Sequence, residues 1–264
     1  MKLGLVGSEM CIRDSPKTDG GFRAIGLLPL LPRLWMRTRK QIAADWEESQ
    51  QKPYLYAGKK KGATVAAWKQ GFRAELAASC GRSVNYCEAL LDLVKAFDMV
   101  PHWLLIREGL SLGYPMWLLR LSIATYKMAR VVRIRKVVSD IVYAIRGMTA
   151  GSGFATTEMR VVMINLVDKA LLVHPSVNPT LFVDDLAAGN SGTDEWIERE
   201  LGGFAVLIAS AFKACEFELS ITKSLFTAST DVLGARMQKF WANAGVAIEY
   251  VKKVKSVGVG RGVG

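Results

Sequence analysis

The stretch Pro179-Thr180-Leu181-Phe182-Val183-Asp184-Asp185-Leu186-Ala187-Ala188-Gly189 constrains the fold of this chain more than any other. Two adjacent carboxylates stand between short apolar runs, Leu181-Phe182-Val183 before them and Leu186-Ala187-Ala188 after. Each run ends at turn residues, Pro179 on one side and Gly189-Asn190-Ser191-Gly192 on the other. The spacing predicts a strand, a tight turn and a returning strand. Neighbouring carboxylates repel, and a turn that displays them between half-buried strands is stable when a cation shares them. An acidic hairpin turn without a metal is the alternative, since aspartate is a common turn former.

A second acid stands in a similar setting. Tyr86 to Leu91 reads as an apolar strand ending on Asp92, and a helix with Trp103, Leu104 and Ile106 begins after Pro101. A carboxylate at the end of a buried strand is costly unless it is paired or metal-bound. Asp98, six residues on, suits a turn or a cap.

Charge narrows the class of partner. Lys and Arg number 35 against 24 Asp and Glu, a net charge of +11. Such a surplus fits a phosphate backbone, or less often an anionic membrane surface. No run of 18 apolar residues occurs. Cys11, Cys80, Cys87 and Cys215 are scattered, and only His102 and His174 are present. That argues against a zinc site and a disulfide framework, and suits a reducing intracellular compartment, nucleus or cytoplasm undetermined. At 264 residues the chain makes one large domain or two modest ones.

The remaining segments fall in order. Residues 1–15 show no periodicity that continues beyond Ser15 and are expected to lie outside the fold. Lys17 to Leu28 reads as a Gly-Gly turn and a strand carrying Arg23, so Lys17 and Arg23 on its two arms could meet a phosphate, or form a solvated basic hairpin. A cation-rich helix spans Arg33 to about Glu48, and Gly58-Lys59-Lys60-Lys61-Gly62 is an exposed loop able to touch a nucleic-acid backbone. The helix from Ala63 to Ser79 carries Val65, Trp68, Phe72 and Leu76 on one apolar face. Trp117 to Lys127 is helical, and Val131 to Arg135 alternates as a strand. The glycine-rich loop Gly147-Met148-Thr149-Ala150-Gly151-Ser152-Gly153 precedes a helix over about Thr156 to Val173, a form that lets backbone amides approach a phosphate or base, and also an ordinary connector. Thr193-Asp194 caps a helix over about Glu195 to Glu216; Phe217 to Ser224 reads as a short strand and turn, with Lys223 at its end. Thr227, Val232-Leu233 and Val254 to Val259 are strand-like.

Carboxylates without cysteine or histidine partners suit hard cations, Mg²⁺ above all. Two such ions stabilise both the attacking and the leaving oxygen of an in-line phosphoryl displacement. Several stretches resemble the reverse transcriptase (RNA-directed DNA polymerase) domain of non-LTR, LINE-type retrotransposons, related to group II intron reverse transcriptases. Leu91-Asp92-Leu93-Val94-Lys95-Ala96-Phe97-Asp98 with Val100-Pro101-His102 looks like that family's first acidic motif, and Phe182-Val183-Asp184-Asp185 like its aromatic-x-Asp-Asp hairpin. Lys17 through Arg23 to Pro29 is similar to its fingertip motif, and Gly147 to Gly153 sits where its template-positioning loop belongs. Leu219 to Ser224 resembles its lysine motif, and Val254 to Val259 the start of its primer grip. The order and rough spacing agree over Lys17 to Val259.

The resemblance implies an α+β fold: a right-hand polymerase palm, an antiparallel sheet with helices behind, plus fingers, the thumb absent. Its expected boundaries are fingers over 16–85, palm over 86–109, a fingers insertion over 110–150, and palm with the start of the primer grip over 151–264. Asp92, Asp184 and Asp185 would hold two Mg²⁺ ions, with Mn²⁺ as a substitute. Lys17 and Arg23 would grip the incoming triphosphate, with Ala150 and Gly151 beside the nucleotide. Phe97 would block a ribose 2′-hydroxyl, its alternative being a core aromatic, and Lys223 would protonate the pyrophosphate. The implied partners are an RNA template, a DNA primer and deoxynucleoside triphosphates, with no membrane. Two positions depart from the family: Ala150 where glutamine is usual, and Ala24 where proline is common. With neither a thumb after Gly264 nor an endonuclease before Lys17, a fragment or degenerate copy is expected. A catalytically inactive nucleic-acid-binding remnant is the alternative, and Phe97 disfavours a viral-type RNA-copying polymerase.

Overall fold

The computed structural model describes residues 10–16, 22–58, 61–81, 84–134, 137–149, 151–256 and 259–262. The chain begins with strands β1 (Met10–Pro16) and β2 (Phe22–Leu27), then helices α1 (Leu30–Ser49) and α2 (Ala63–Ser79). Strand β3 (Asn85–Leu91) leads into α3 (Ala96–Met99), α4 (His102–Ser111) and α5 (Met116–Tyr126). Strands β4 (Arg130–Ile134) and β5 (Val137–Val138) precede α6 (Ala155–Val173) and the pair β6 (Asn178–Phe182) and β7 (Asp185–Gly192). Helix α7 (Asp194–Ile197) runs through a π-helical turn (Glu198–Gly202) into α8 (Gly203–Ala214). The last elements are β8 (Leu225–Ala228), α9 (Asp231–Asn243), β9 (Glu249–Tyr250), β10 (Lys253–Ser256) and β11 (Val259–Gly262).

These elements divide into two compact units. One comprises Met1–Gln50 with Lys95–Val162, the other Gln51–Val94 with Met163–Gly264.

In the first unit a four-stranded sheet runs β2-β1-β4-β5. Strand β1 pairs antiparallel with β2 and parallel with β4. The leader expected to lie outside the fold therefore supplies a strand from Met10 onward; residues 1–9 lie outside the described residues. So short a strand does not announce itself by period, and long-range pairing decides the matter. Helix α1 starts at Leu30, three residues earlier than its cation-rich core suggests, because Pro29 sits at the cap and Pro32 in the first turn, where the missing N–H is harmless. Its Trp46 indole donates to the Leu112 carbonyl at 3.0 Å, and its ring meets Tyr114 edge-on at 5.0 Å. Leu104, Leu105, Leu118, Leu119 and Phe154 complete a buried apolar centre.

The second unit is built on a five-stranded sheet, β6-β7-β3-β8-β9. All its pairs are antiparallel except β8 with β9. Its middle strand β3 buries Cys87, Ala89 and Leu91. Strand β7 continues through Gly189-Asn190-Ser191-Gly192, where the sequence pattern predicts a turn. Gly189 is tolerated there because the Tyr86 hydroxyl would lie 2.5 Å from a Cβ at that position. Val232-Leu233, expected in a strand, lies in α9, whose N-terminus Thr230 caps by accepting from the Leu233 N–H at 3.2 Å. In Phe217 to Ser224 the expected turn forms at residues 221–223, while the expected strand is reduced to an isolated bridge, Leu219 to Leu93.

Helix α2 spans the residues its periodicity predicts, with its faces reversed. Ala66, Ala67 and Ala77 are buried, while Val65, Trp68, Phe72 and Leu76 face solvent. Alanines let the helix axis approach β3 and β6, and the larger side chains are left outside. Among the described residues no helix is long and apolar enough to cross a membrane.

Candidate active site

The β6–β7 hairpin pairs Phe182 with Asp185, so Val183 and Asp184 form a two-residue turn. Val183 has φ of +61°, a left-handed conformation that tight hairpin turns require and that a β-branched residue adopts at a cost of about 1–3 kcal/mol. The strain fixes where Asp184 leaves the turn and where Asp185 enters β7.

Strand β7 in turn pairs with β3, and the last paired positions are Leu186 with Leu91. Continuing that register by one residue sets Asp185 opposite Asp92 on the same face. Both side chains are partly buried. Burial pushes the Asp185 carboxyl up to about 6, Asp184 and Asp92 add to the rise, and Lys223 opposes it. The Asp92 carboxyl is also raised by burial and pulled back by Lys223.

The segment after α8 clamps Asp92 in place. The Asp92 N–H donates to Ser224 Oγ at 3.2 Å, and its carbonyl accepts from the Ser220 N–H at 2.8 Å. Two residues on, the Val94 N–H donates to the Glu218 carbonyl at 2.9 Å. The same segment delivers Lys223, whose Nζ lies 3.9 Å from Asp92 Oδ2. Ser220 and Ser224 are positioning residues, holding the Asp92 backbone, and that contact was not readable from the sequence. Their only signal was membership of the segment carrying Lys223, because Ser224 lies 132 residues from its partner.

The donor set is all oxygen and mutually repelling, which fits a hard divalent cation. Among the described residues, however, no group of three or more histidine, cysteine, aspartate or glutamate side chains is gathered closely enough to hold a metal ion.

Of the other candidate site residues, Arg23, Phe97 and Gly151 belong to the first unit. The half-buried Phe97 lies in α3, and its carbonyl accepts from the Met148 N–H at 2.7 Å. The Gly147 N–H donates to the Val100 carbonyl at 2.8 Å. Gly147 has φ of +90°, and a Cβ there would fall 2.6 Å from the Asp98 carbonyl oxygen. A Cβ on Gly151 would fall 2.1 Å from the Gly26 carbonyl oxygen in β2. The glycine-rich loop is thus fastened to α3 at one end and to β2 at the other. Arg23 lies in β2 opposite Ser15 of β1. Lys17 and Ala150 lie outside the described residues, as do Lys59 and Lys60 of the lysine loop.

Sequence reasoning also missed the side chains that hold this loop. His102 Nε2 lies 2.9 Å from the Gly147 carbonyl oxygen. The Tyr126 hydroxyl shares a 3.0 Å hydrogen bond with Ser152 Oγ and donates to the Glu158 carboxylate. Burial pushes the Glu158 carboxyl up to about 7, against the pull of its hydroxyl partners Ser122 and Tyr126. An acid in the first turn of α6, just ahead of the apolar run Val161 to Ile164, was the available signal.

No protein-family model and no curated protein sequence matches the chain. Solved structures do match. Apo telomerase from Candida tropicalis aligns over 97% of this chain and 47% of its own, with a TM-score of 0.63 and 10% identity. Telomerase from the same organism in complex with the TWJ fragment of telomeric RNA aligns over 84% and 41%, with a TM-score of 0.61 and 11% identity. Candida albicans telomerase with the TWJ fragment aligns over 83% and 42%, with a TM-score of 0.53 and 11% identity. The likeness is one of fold. The chain spans about half the length, or less, of the telomerase chains it matches, whose catalytic subunits contain a reverse-transcriptase-like fold.

Proposed function

We propose that this chain is the palm-and-fingers portion of an RNA-directed DNA polymerase, adding deoxynucleotides to a primer 3′ end along an RNA template. The observation that carries the reading is the register of β3 against β7, which sets Asp92 opposite Asp185, beside Asp184 and within reach of Lys223. Telomerase, an RNA-dependent DNA polymerase, supports it through fold, and the RNA in two of the matched structures supports RNA as the partner. The retrotransposon origin rests on the sequence resemblance alone.

Asp92, Asp184 and Asp185 would hold Mg²⁺, which supplies charge stabilisation to the attacking and leaving oxygens of the phosphoryl transfer. Ionised Asp185 is the form that binds a cation, and Lys223 favours that form. As substrate enters, the Lys223 ammonium is the proton donor at hand for the departing pyrophosphate. The resemblance assigns Arg23, Lys17 and Gly151 to the triphosphate and template side, and the Phe97 ring to rejection of a 2′-hydroxyl.

A second reading has one observation in its favour. The open arrangement of the carboxylates suits a remnant that binds nucleic acid without copying it. Primer extension on poly(rA) with oligo(dT), dTTP and Mg²⁺ separates the two. Incorporation that Asp184→Asn abolishes supports the polymerase; no incorporation with salt-sensitive binding of primer-template supports the remnant.

A further inference from the structure

Helix α2 turns its largest side chains to water. Trp68 is 70% exposed and Phe72 50%, and the exposed Val65 and Leu76 extend the row at either end. Spacings of three, four and four residues place them on one stripe, about 16 Å long at the helical rise. The Trp68 and Phe72 rings lie parallel, 5° apart in plane with centroids at 5.7 Å. The middle of the stripe is therefore a preformed aromatic platform, and the opposite face of the helix is already occupied by the sheet.

One edge of the stripe is cationic. Lys69 and Arg73, one turn apart, both fall on the same side of the row. Arg73 Nη1 donates to the Asn178 carbonyl and to Thr180 Oγ1, both at 3.4 Å, and Lys69 Nζ lies 5.5 Å from the centre of the Tyr56 ring. Both charges are tied to that edge.

We propose that this stripe docks an amphipathic helix of a protein partner, apolar along its contact row and acidic along the edge that meets Lys69 and Arg73. The length of the stripe matches three turns of a helix laid against it. Nucleobases stack on rings, whereas the aliphatic ends at Val65 and Leu76 gain their contact from protein side chains. Two like charges on one edge select the opposite sign on the partner and set its orientation.

The test uses two labelled helical peptides of about 18 residues, long enough to cover the stripe. Both carry leucine at alternate third and fourth positions; one has glutamates along a flank, the other lysines. Each is titrated by fluorescence anisotropy against the full chain, against Trp68→Ser/Phe72→Gln, and against Lys69→Glu. Circular dichroism checks that the variants fold, and primer extension by the double variant stays at the wild-type level. The proposal expects the acidic peptide to bind, the double variant to weaken it at least roughly tenfold, and Lys69→Glu to weaken the acidic peptide while favouring the basic one. It is overturned if neither peptide binds, if both bind alike, or if wild type and double variant are indistinguishable. It is also overturned if the double variant instead dissolves a dimer, or abolishes binding to phosphatidylserine vesicles or to oligo(U).

Discussion

Asp92 and Asp185 face each other one residue beyond the last paired positions of β3 and β7, so a sheet register sets the distance between two acids. The repulsion between them is built into the backbone pairing, and local rearrangement of the turn cannot relieve it.

At the proposed Mg²⁺ site, the raised Asp185 carboxyl would make cation binding acid-sensitive. With its carboxyl at about 6, protons compete with Mg²⁺ as pH falls through that value. Magnesium affinity, followed by calorimetry from pH 8 to pH 5, is expected to fall with a midpoint near 6. The metal-free protein shows the opposite trend in stability. A carboxyl raised above its ordinary 3.8 contributes stability that is full below that value and lost as pH rises through about 6. Asp185→Asn removes its share of both trends, and the part of the stability trend that comes from buried Glu158 remains.

Lys223 is expected to act on rate and on the acid limb together. Lys223→Met should lower the nucleotide incorporation rate by about 10²-fold, the scale of a lost general acid. The cation also opposes the rise of the Asp185 carboxyl, so its loss should move the acid limb of the pH–rate profile to higher pH. A rate loss with an unmoved limb would separate Lys223 from Asp185.

Val183 stores strain at the hairpin tip. Asparagine tolerates the left-handed conformation better than a β-branched residue. Val183→Asn is expected to stabilise the fold by about 1 kcal/mol in urea unfolding. A loss of stability would show that Val183 packing outweighs its φ of +61°.

The glycine-rich loop depends on Gly147 and Tyr126 for different reasons. Gly147→Ala meets the Asp98 backbone and a positive φ, so a loss of about 2 kcal/mol is expected. Tyr126→Phe removes the donor to buried Glu158, a loss of about 1–3 kcal/mol. That second deficit should grow as pH rises through about 7, where Glu158 ionises and phenylalanine offers its carboxylate nothing. A deficit independent of pH between 6 and 8 would mean that the hydroxyl acts only by packing.

The acid hairpin was legible because two short apolar runs, split by an Asp-Asp pair and bounded by turn residues, leave few other structures for Leu181 to Ala188. Asp92 was legible for the same reason, an acid ending an apolar run. Its clamp was not, since Ser220 and Ser224 reach it only through folding. Helix α2 shows the limit of pattern reading. Its boundaries followed from periodicity, while its orientation was set by how closely alanines can approach a sheet, which the apolar count at Val65, Trp68, Phe72 and Leu76 misstates. Strand β1 was missed because its partners β2 and β4, and not its own residues, define it.

The order in which the chain emerges during synthesis has a cost that the finished sheet conceals. Strand β3 ends at Leu91, yet its neighbours β7 and β8 begin at Asp185 and Leu225. Through all the intervening synthesis the central strand has both hydrogen-bonding edges open, and a hydrophobic run with open edges is a template for pairing with other chains. Closing loops of that length also slows folding. Production of this protein should therefore be limited by aggregation of nascent chains, and respond to slowed translation or added chaperones more than to stabilisation of the native state.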